Sequence, residues 1–156
     1  MSEIEYRLFE GTPTDEVLSW VTTLSQSVFG GGSTPEIRTR LAGRQHILAC
    51  IAFSEGQPIG FKLGYMDRPH YFESWLGGVA ESARRQGVAD ELMRRQHQWC
   101  VDKKISIVTT NTNDENTAMM ILNLKHGFVV VGTTFDRGDH LKVFFQKRLR
   151  DKPPTD

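Results

Sequence analysis

The chain of 156 residues carries 19 basic and 19 acidic side chains, a formal net charge of +0, with 38% hydrophobic and 24% charged residues. This composition suits one folded domain with one core and argues against nucleic acid and membrane surfaces, which excess positive charge recognises; no run reaches the roughly 18 apolar residues of a membrane span. The acidic start, Met1-Ser2-Glu3-Ile4-Glu5, lacks an apolar signal core, and Cys50 and Cys100, without metal spacing, read as reduced core thiols, so a cytosolic protein is expected.

Ile4, Tyr6 and Leu8 alternate with Glu5 and Arg7 as in a half-buried first strand, ended by Gly11. Thr12 is placed to cap a helix with Pro13 at its first position, Asp15 and Glu16 in its first turn, and an apolar stripe of Val17, Val21, Leu24 and Val28. Gly30-Gly31-Gly32 reads as a flexible connection. Thr34-Pro35-Glu36 opens a second short helix with Ile37 and Leu41 inward and Gly43 as its stop. His46 to Phe53 and Ile59 to Met66 read as strands turned at Glu55-Gly56. Tyr71 to Val79 is the next strand, followed by an amphipathic helix to about Lys103 with Val88, Leu92, Met93, Trp99 and Cys100 on its apolar positions. Ile105 to Thr110 is a fifth strand, and Asp114 is a candidate cap for a helix from Glu115 to His126. Gly127 suits the left-handed position after that helix, and Phe128 the hydrophobic contact that follows. Phe128 to Thr134 and His140 to Leu149 read as a closing pair of strands, and 150–156 as a loose tail. The order predicts an α/β (α+β) fold with a mixed, mostly antiparallel sheet in one domain over residues 1–149.

Between the strand ending at Val79 and the next helix lies Ala80-Glu81-Ser82-Ala83-Arg84-Arg85-Gln86-Gly87-Val88-Ala89. A helix N-terminus leaves about four amides unpaired and its dipole favours negative charge. Gly87 lets backbone approach a ligand, Ala89 is small, and Arg84 and Arg85 add positive charge, so the turn reads as a pyrophosphate cradle. Other phosphate motifs are missing: there is no G-x-x-x-x-G-K-(S/T), and Gly30-Gly31-Gly32 follows no strand.

Arg84-x-x-Gly87-x-Ala89 matches the (Q/R)-x-x-G-x-(G/A) signature of the GNAT superfamily of acyl-CoA-dependent N-acyltransferases. Downstream, Asn116-Thr-Ala-Met-Met-Ile-Leu-Asn-Leu-Lys-His-Gly127-Phe128 is similar to that family's N-x-x-A-x-x-L-Y-x-K-x-G-F block. The resemblance implies seven strands flanked by four helices, with the sheet splayed between its fourth and fifth strands. It also implies acetyl-CoA as cosubstrate without a metal, a primary amine as acceptor, and an occasional homodimer. On the matching positions, Gly77, Gly78 and Val79 would receive the pantetheine arm, while Arg84, Arg85, Gln86, Gly87, Val88 and Ala89 would hold the pyrophosphate. Asn116 would bond the arm. Read from the residues alone, Gly77-Gly78 also fits a strand bulge or a close approach, and Asn116 a polar first-turn residue.

Acetyl transfer to an amine needs a base, an oxyanion donor and a thiolate that can leave. Glu73 lies eleven residues before Arg84, the spacing at which the histone-acetyltransferase branch of the family carries its base, and Tyr71, Phe72 and Trp75 would desolvate it. The alternative is an exposed strand carboxylate. Glu81, the second candidate, reads as structural. A backbone N–H near Gly78 or Val79 would stabilise the oxyanion. Asn123 departs from the family, standing where many members carry the tyrosine that protonates the thiolate. Its amide can donate to sulfur but not give up a proton. That departure keeps open a non-catalytic acyl-CoA-binding module, and Gly77-Gly78 leave open transfer of a larger acyl group. His70, His97, His126 and His140 have no metal spacing and read as surface or structural histidines, and Asp136 and Asp139 as a solvated turn.

Overall fold

A computed structural model of the chain describes residues 3–150. The expected loose tail falls almost wholly on 151–156 and lies outside the described residues. The elements run β1 (Ile4–Glu10), α1 (Asp15–Phe29), α2 (Thr34–Leu41), β2 (Gln45–Ser54), β3 (Gln57–Arg68), β4 (Tyr71–Val79), a 3₁₀ turn (Glu81–Ala83), α3 (Val88–Asp102), β5 (Ile107–Asn113), α4 (Thr117–Lys125), β6 (Val129–Phe135) and β7 (Leu141–Arg148). They form one sheet in the order β1-β2-β3-β4-β5-β7-β6, antiparallel throughout except for the parallel pair β4–β5.

Both faces of the sheet are covered near its centre, which explains the nearly unbroken apolar run of β2. Ile47, Ala49, Ile51 and Phe53 join Val17, Val21 and Leu24 of α1 and Ile37 and Leu41 of α2 on one face. Leu48, Cys50 and Ala52 join Val88, Leu92 and Met93 of α3 on the other, with Met120 and Leu122 of α4 packed against them. Cys50 and Cys100 are free buried thiols, as expected. Burying side chains of this size contributes about 1.5–3 kcal/mol each.

Several boundaries differ from the sequence expectation for local reasons. Thr14, not Thr12, caps α1, its hydroxyl accepting from the Val17 amide, so Pro13 precedes the helix. The cap of α4 is Asn116 rather than Asp114, because β5 runs on to Asn113 and the Asn116 amide bonds back to Asn113 O. At the other end of α4, Gly127 has φ 89, its N–H bonds Leu124 O, and the N–H of buried Phe128 bonds Asn123 O. That is the Schellman closure expected there. In the Gly30-Gly31-Gly32 connection Ser25 Oγ donates to Gly31 O at 2.9 Å, and Gly30 caps α1 in the left-handed region.

The feature that positions the site is where β4 parts from β5. They pair only from Tyr71↔Ile107 to Glu73↔Thr109, whereas β3 stays paired with β4 to Val79. A register shift lets Ser74 oppose Gly64 while Leu76 opposes Leu63, leaving Trp75 as an extra residue on β4. Such a bulge bends a strand and re-aims its side chains.

Candidate functional site

Beyond Glu73 the parted strands enclose a cleft of ≈ 840 Å³. Gly77, Gly78 and Val79 form one wall and Thr110 to Asn113 the other, with Leu92 of α3 and Met119 and Leu122 of α4 beneath. Arg84, Ala89 and Asn116 also line the cleft, and Val28, Phe29 and Arg40 border it from α1 and α2.

The two glycines admit close neighbours that also line the cleft. A Cβ on Gly77 would lie 3.1 Å from Lys62 Cγ and 3.2 Å from Phe61 O; one on Gly78 would lie 3.1 Å from Val28 Cγ1.

Gly87 caps α3 at φ 75, and an added Cβ would meet nothing within 4 Å, so the approach to this helix end is open. Side chains cap α1, α2 and α4 through Thr14, Ser33 and Asn116, but none caps α3. Its unfilled amides and dipole therefore face outward beside Arg84 and Ala89. Two acids in its first turn are engaged elsewhere. His126 Nε2 at 2.8 Å and Lys125 Nζ at 3.2 Å hold Asp90. Arg94 and Arg95 hold Glu91, and the hydrogen bond from Arg94, with that from Arg95, draws its pKa down to about 2. An anion at this helix end thus meets little uncompensated negative charge.

Arg85, Gln86, Gly87 and Val88 form the turn rather than the cleft wall: Arg85 holds φ 66, Gln86 Nε2 donates to Ser82 O at 3.5 Å, and Val88 is buried beneath. Asn116 both lines the cleft and caps α4, its Oδ1 accepting from the Met119 amide at 3.2 Å. Asn123 is only 1% exposed and off the cleft wall, and its Nδ2 has no hydrogen-bond partner among the described residues.

Glu73 lines a second, smaller groove of ≈ 230 Å³ with Asp67, Thr109 and Phe144. Tyr65 Oη donates to Glu73 Oε2 at 3.0 Å, Arg40 Nε donates to Tyr65 Oη at 2.8 Å, and Arg40 Nη2 lies 3.7 Å from Glu73 Oε1. Burial, opposed by the Arg40 hydrogen bond, raises the Tyr65 pKa, so this phenol stays a donor. Arg40 touches both the groove's network and the cleft, linking the two spaces.

Sequence reasoning passed over Lys62, whose signal was a single charge inside an apolar strand. It is 7% exposed, lines the cleft, and donates from Nζ to Ser74 Oγ at 3.4 Å. Burial lowers its pKa to about 8. Among the described residues no group of His, Cys, Asp or Glu is arranged to hold a metal, and no helix is long and apolar enough to cross a membrane.

A sequence model described as the Acetyltransferase (GNAT) family matches residues 15–128. No curated protein sequence matches the chain. Among solved structures, the ribosomal-protein-S18-alanine N-acetyltransferase from Escherichia coli is similar at TM-score 0.82 and 13% identity, over 96% of this chain and 97% of that one. Ard1 from Thermoplasma volcanium follows at 0.78 and 18%, over 94% and 99%. A GNAT family acetyltransferase from Elizabethkingia anophelis, solved with acetyl-CoA bound, is similar at 0.69 and 16%, over 92% and 98%.

Proposed function

The chain belongs to the acetyltransferase (GNAT) family, and from that premise we propose that it transfers an acetyl group from acetyl-CoA to a primary amine. The observation that carries this reading is the uncapped N-terminus of α3, opening beside Arg84 where β4 and β5 part. The residues present fit the cosubstrate. Turn amides from Arg85 to Ala89 and the Arg84 guanidinium suit a pyrophosphate, and β4 beyond Glu73, unpaired on its β5 side, offers backbone groups to an amide-bearing arm. Coenzyme A supplies an activated thioester when bound.

The chain's own side chains divide the remaining work. Tyr65 and Arg40 hold the Glu73 carboxylate in place, and Glu73 takes the acceptor's proton through water between the groove and the cleft, which share Thr110 and Asn111 in their walls. An N–H of β4 near Gly78 or Val79 steadies the oxyanion as the amine attacks. The acceptor enters beside Glu73, so its amine and the thioester meet at the parting of the strands.

The test is calorimetry with coenzyme A and acetyl-CoA, followed by thiol release against a panel of amines. The wild type binds both ligands. Gly87→Glu, which adds a like charge at the phosphate turn, weakens binding at least about tenfold. Glu73→Gln lowers amine-dependent release by about 100-fold while cosubstrate affinity holds. Failure of the wild type to bind coenzyme A overturns the cofactor reading; a full rate in Glu73→Gln overturns only the base. Asn123 in place of tyrosine favours one second reading, a non-catalytic acyl-CoA-binding module, which binding without release on every amine would support.

A further inference from the structure

Lys62 stands on β3 opposite Gly77, and its Nζ reaches Ser74, the first residue of β4 beyond the last β4–β5 pair. The ammonium therefore sits at the apex of the splay. Gly77 is what lets it lie there, since a Cβ at that position would stand 3.1 Å from Lys62 Cγ and 3.6 Å from Nζ. The ammonium has three donors, and its one hydrogen bond among the described residues goes to the neutral Ser74 hydroxyl.

The groups around it supply no counter-charge. From β2 it meets the Cys50 thiol, whose pKa burial pushes up to about 12, so the thiol remains neutral. From α3 comes His97, kept neutral by burial and by Lys147 of β7. The charged side chains on the cleft wall, Arg40, Arg84 and Lys142, are all cations. Burial is the largest influence on the Lys62 ammonium. A buried ammonium without an anion is costly, and it is retained where an anion arrives to meet it.

Resting on the acetyl-CoA reading above, we propose that Lys62 is a catalytic residue: its ammonium pairs with the coenzyme A sulfur as the thioester breaks and gives it a proton. In that step the acyl C–S bond breaks with its electron pair left on sulfur, and the new C–N bond forms. One proton passes from Nζ to sulfur, yielding the thiol and a neutral Lys62 amine. The amine regains a proton from water, matching the one the acceptor released, so the sum is amine plus acetyl-CoA giving amide plus free coenzyme A. The assignment fills the role that Asn123, an amide buried off the cleft wall, cannot perform. A lysine titrating near pH 8 is matched to a thiol.

The experiment compares wild type and Lys62→Met with coenzyme A, acetyl-CoA and desulfo-coenzyme A from about pH 6 to about pH 9, the span over which both groups titrate. Lys62→Met removes an unpaired buried charge, so it folds and melts at a higher temperature than wild type. Ultraviolet absorbance of the bound thiolate is read without turnover. In wild type, bound coenzyme A ionises about one pH unit below free coenzyme A; in Lys62→Met it does not. Desulfo-coenzyme A binds both proteins alike. In turnover, Lys62→Met keeps acetyl-CoA affinity within about twofold, loses about 100-fold in kcat, and loses the alkaline limb near pH 8. If bound coenzyme A ionises identically in the two proteins, or the variant keeps kcat and the alkaline limb, the assignment to Lys62 falls while the cosubstrate site stands. If the wild type binds no coenzyme A, both fall together.

Discussion

His97 is the clearest single-residue constraint on stability. It is buried on α3, and its Nδ1 lies 2.9 Å from Lys147 Nζ, so this nitrogen accepts and Nε2 carries the proton. Burial first, then the Lys147 charge, holds its pKa down at about 2 against an ordinary 6.5. The unfolded chain therefore binds a proton that the folded chain refuses, and stability present above pH 6.5 is lost as the pH falls towards about 2. Urea unfolding is expected to show a loss of up to about 3 kcal/mol between about pH 7 and about pH 4, and His97→Leu to flatten it. Gly64 sets a steric limit instead: a Cβ there would lie 2.5 Å from Glu73 O and from the Phe72 ring. Gly64→Ala should lower the unfolding free energy by about 2–3 kcal/mol in denaturant titration. Neither effect is written in local spacing, because the opposing atoms belong to other strands and helices.

At the scale of elements, α4 tests whether one residue serves two purposes. Asn116 caps the helix through Oδ1 and also lines the cleft. Asn116→Ala should cost about 1 kcal/mol in thermal or denaturant unfolding, whereas Asn116→Asp keeps the capping oxygen and should stay within about 0.5 kcal/mol. If the amide also donates to the cosubstrate, Asn116→Asp loses coenzyme A affinity by calorimetry without losing stability. Caps were only partly legible in the sequence. Thr12 and Thr14, or Asp114 and Asn116, are equally suitable residue types, and the choice rests on where the neighbouring strand stops. Gly127-Phe128 was legible because a left-handed glycine followed by an apolar residue at a helix end has one economical solution, and the chain adopts it. The bulge at Trp75 was hidden. It puts Trp75 and Leu76 together on the α1–α2 face, breaking the alternation from which side-chain direction is read.

The whole molecule couples the cleft to its own stability, because a ligand that binds only the folded chain adds free energy by mass action. At about one hundred times its dissociation constant, acetyl-CoA should add about 2.7 kcal/mol. For a domain of this length that is a rise of about 5–10 °C in Tm, measurable by scanning calorimetry and lost in Gly87→Glu. The order of elements, the apolar stripes and the spacing of Arg84, Gly87 and Ala89 are properties of neighbouring residues. Periodicity and turn chemistry act over a few positions, so the sequence by itself determined the seven strands, the four helices and the place of the turn before α3. The tertiary structure alone decided that Tyr65 and Arg40 grip Glu73, and that Lys62 folds over Gly77 to meet Ser74 at the parting of β4 and β5. Those contacts join residues on different strands and helices, and sheet register, one bulge and the end of a parallel pairing set them, none of which a linear spacing encodes.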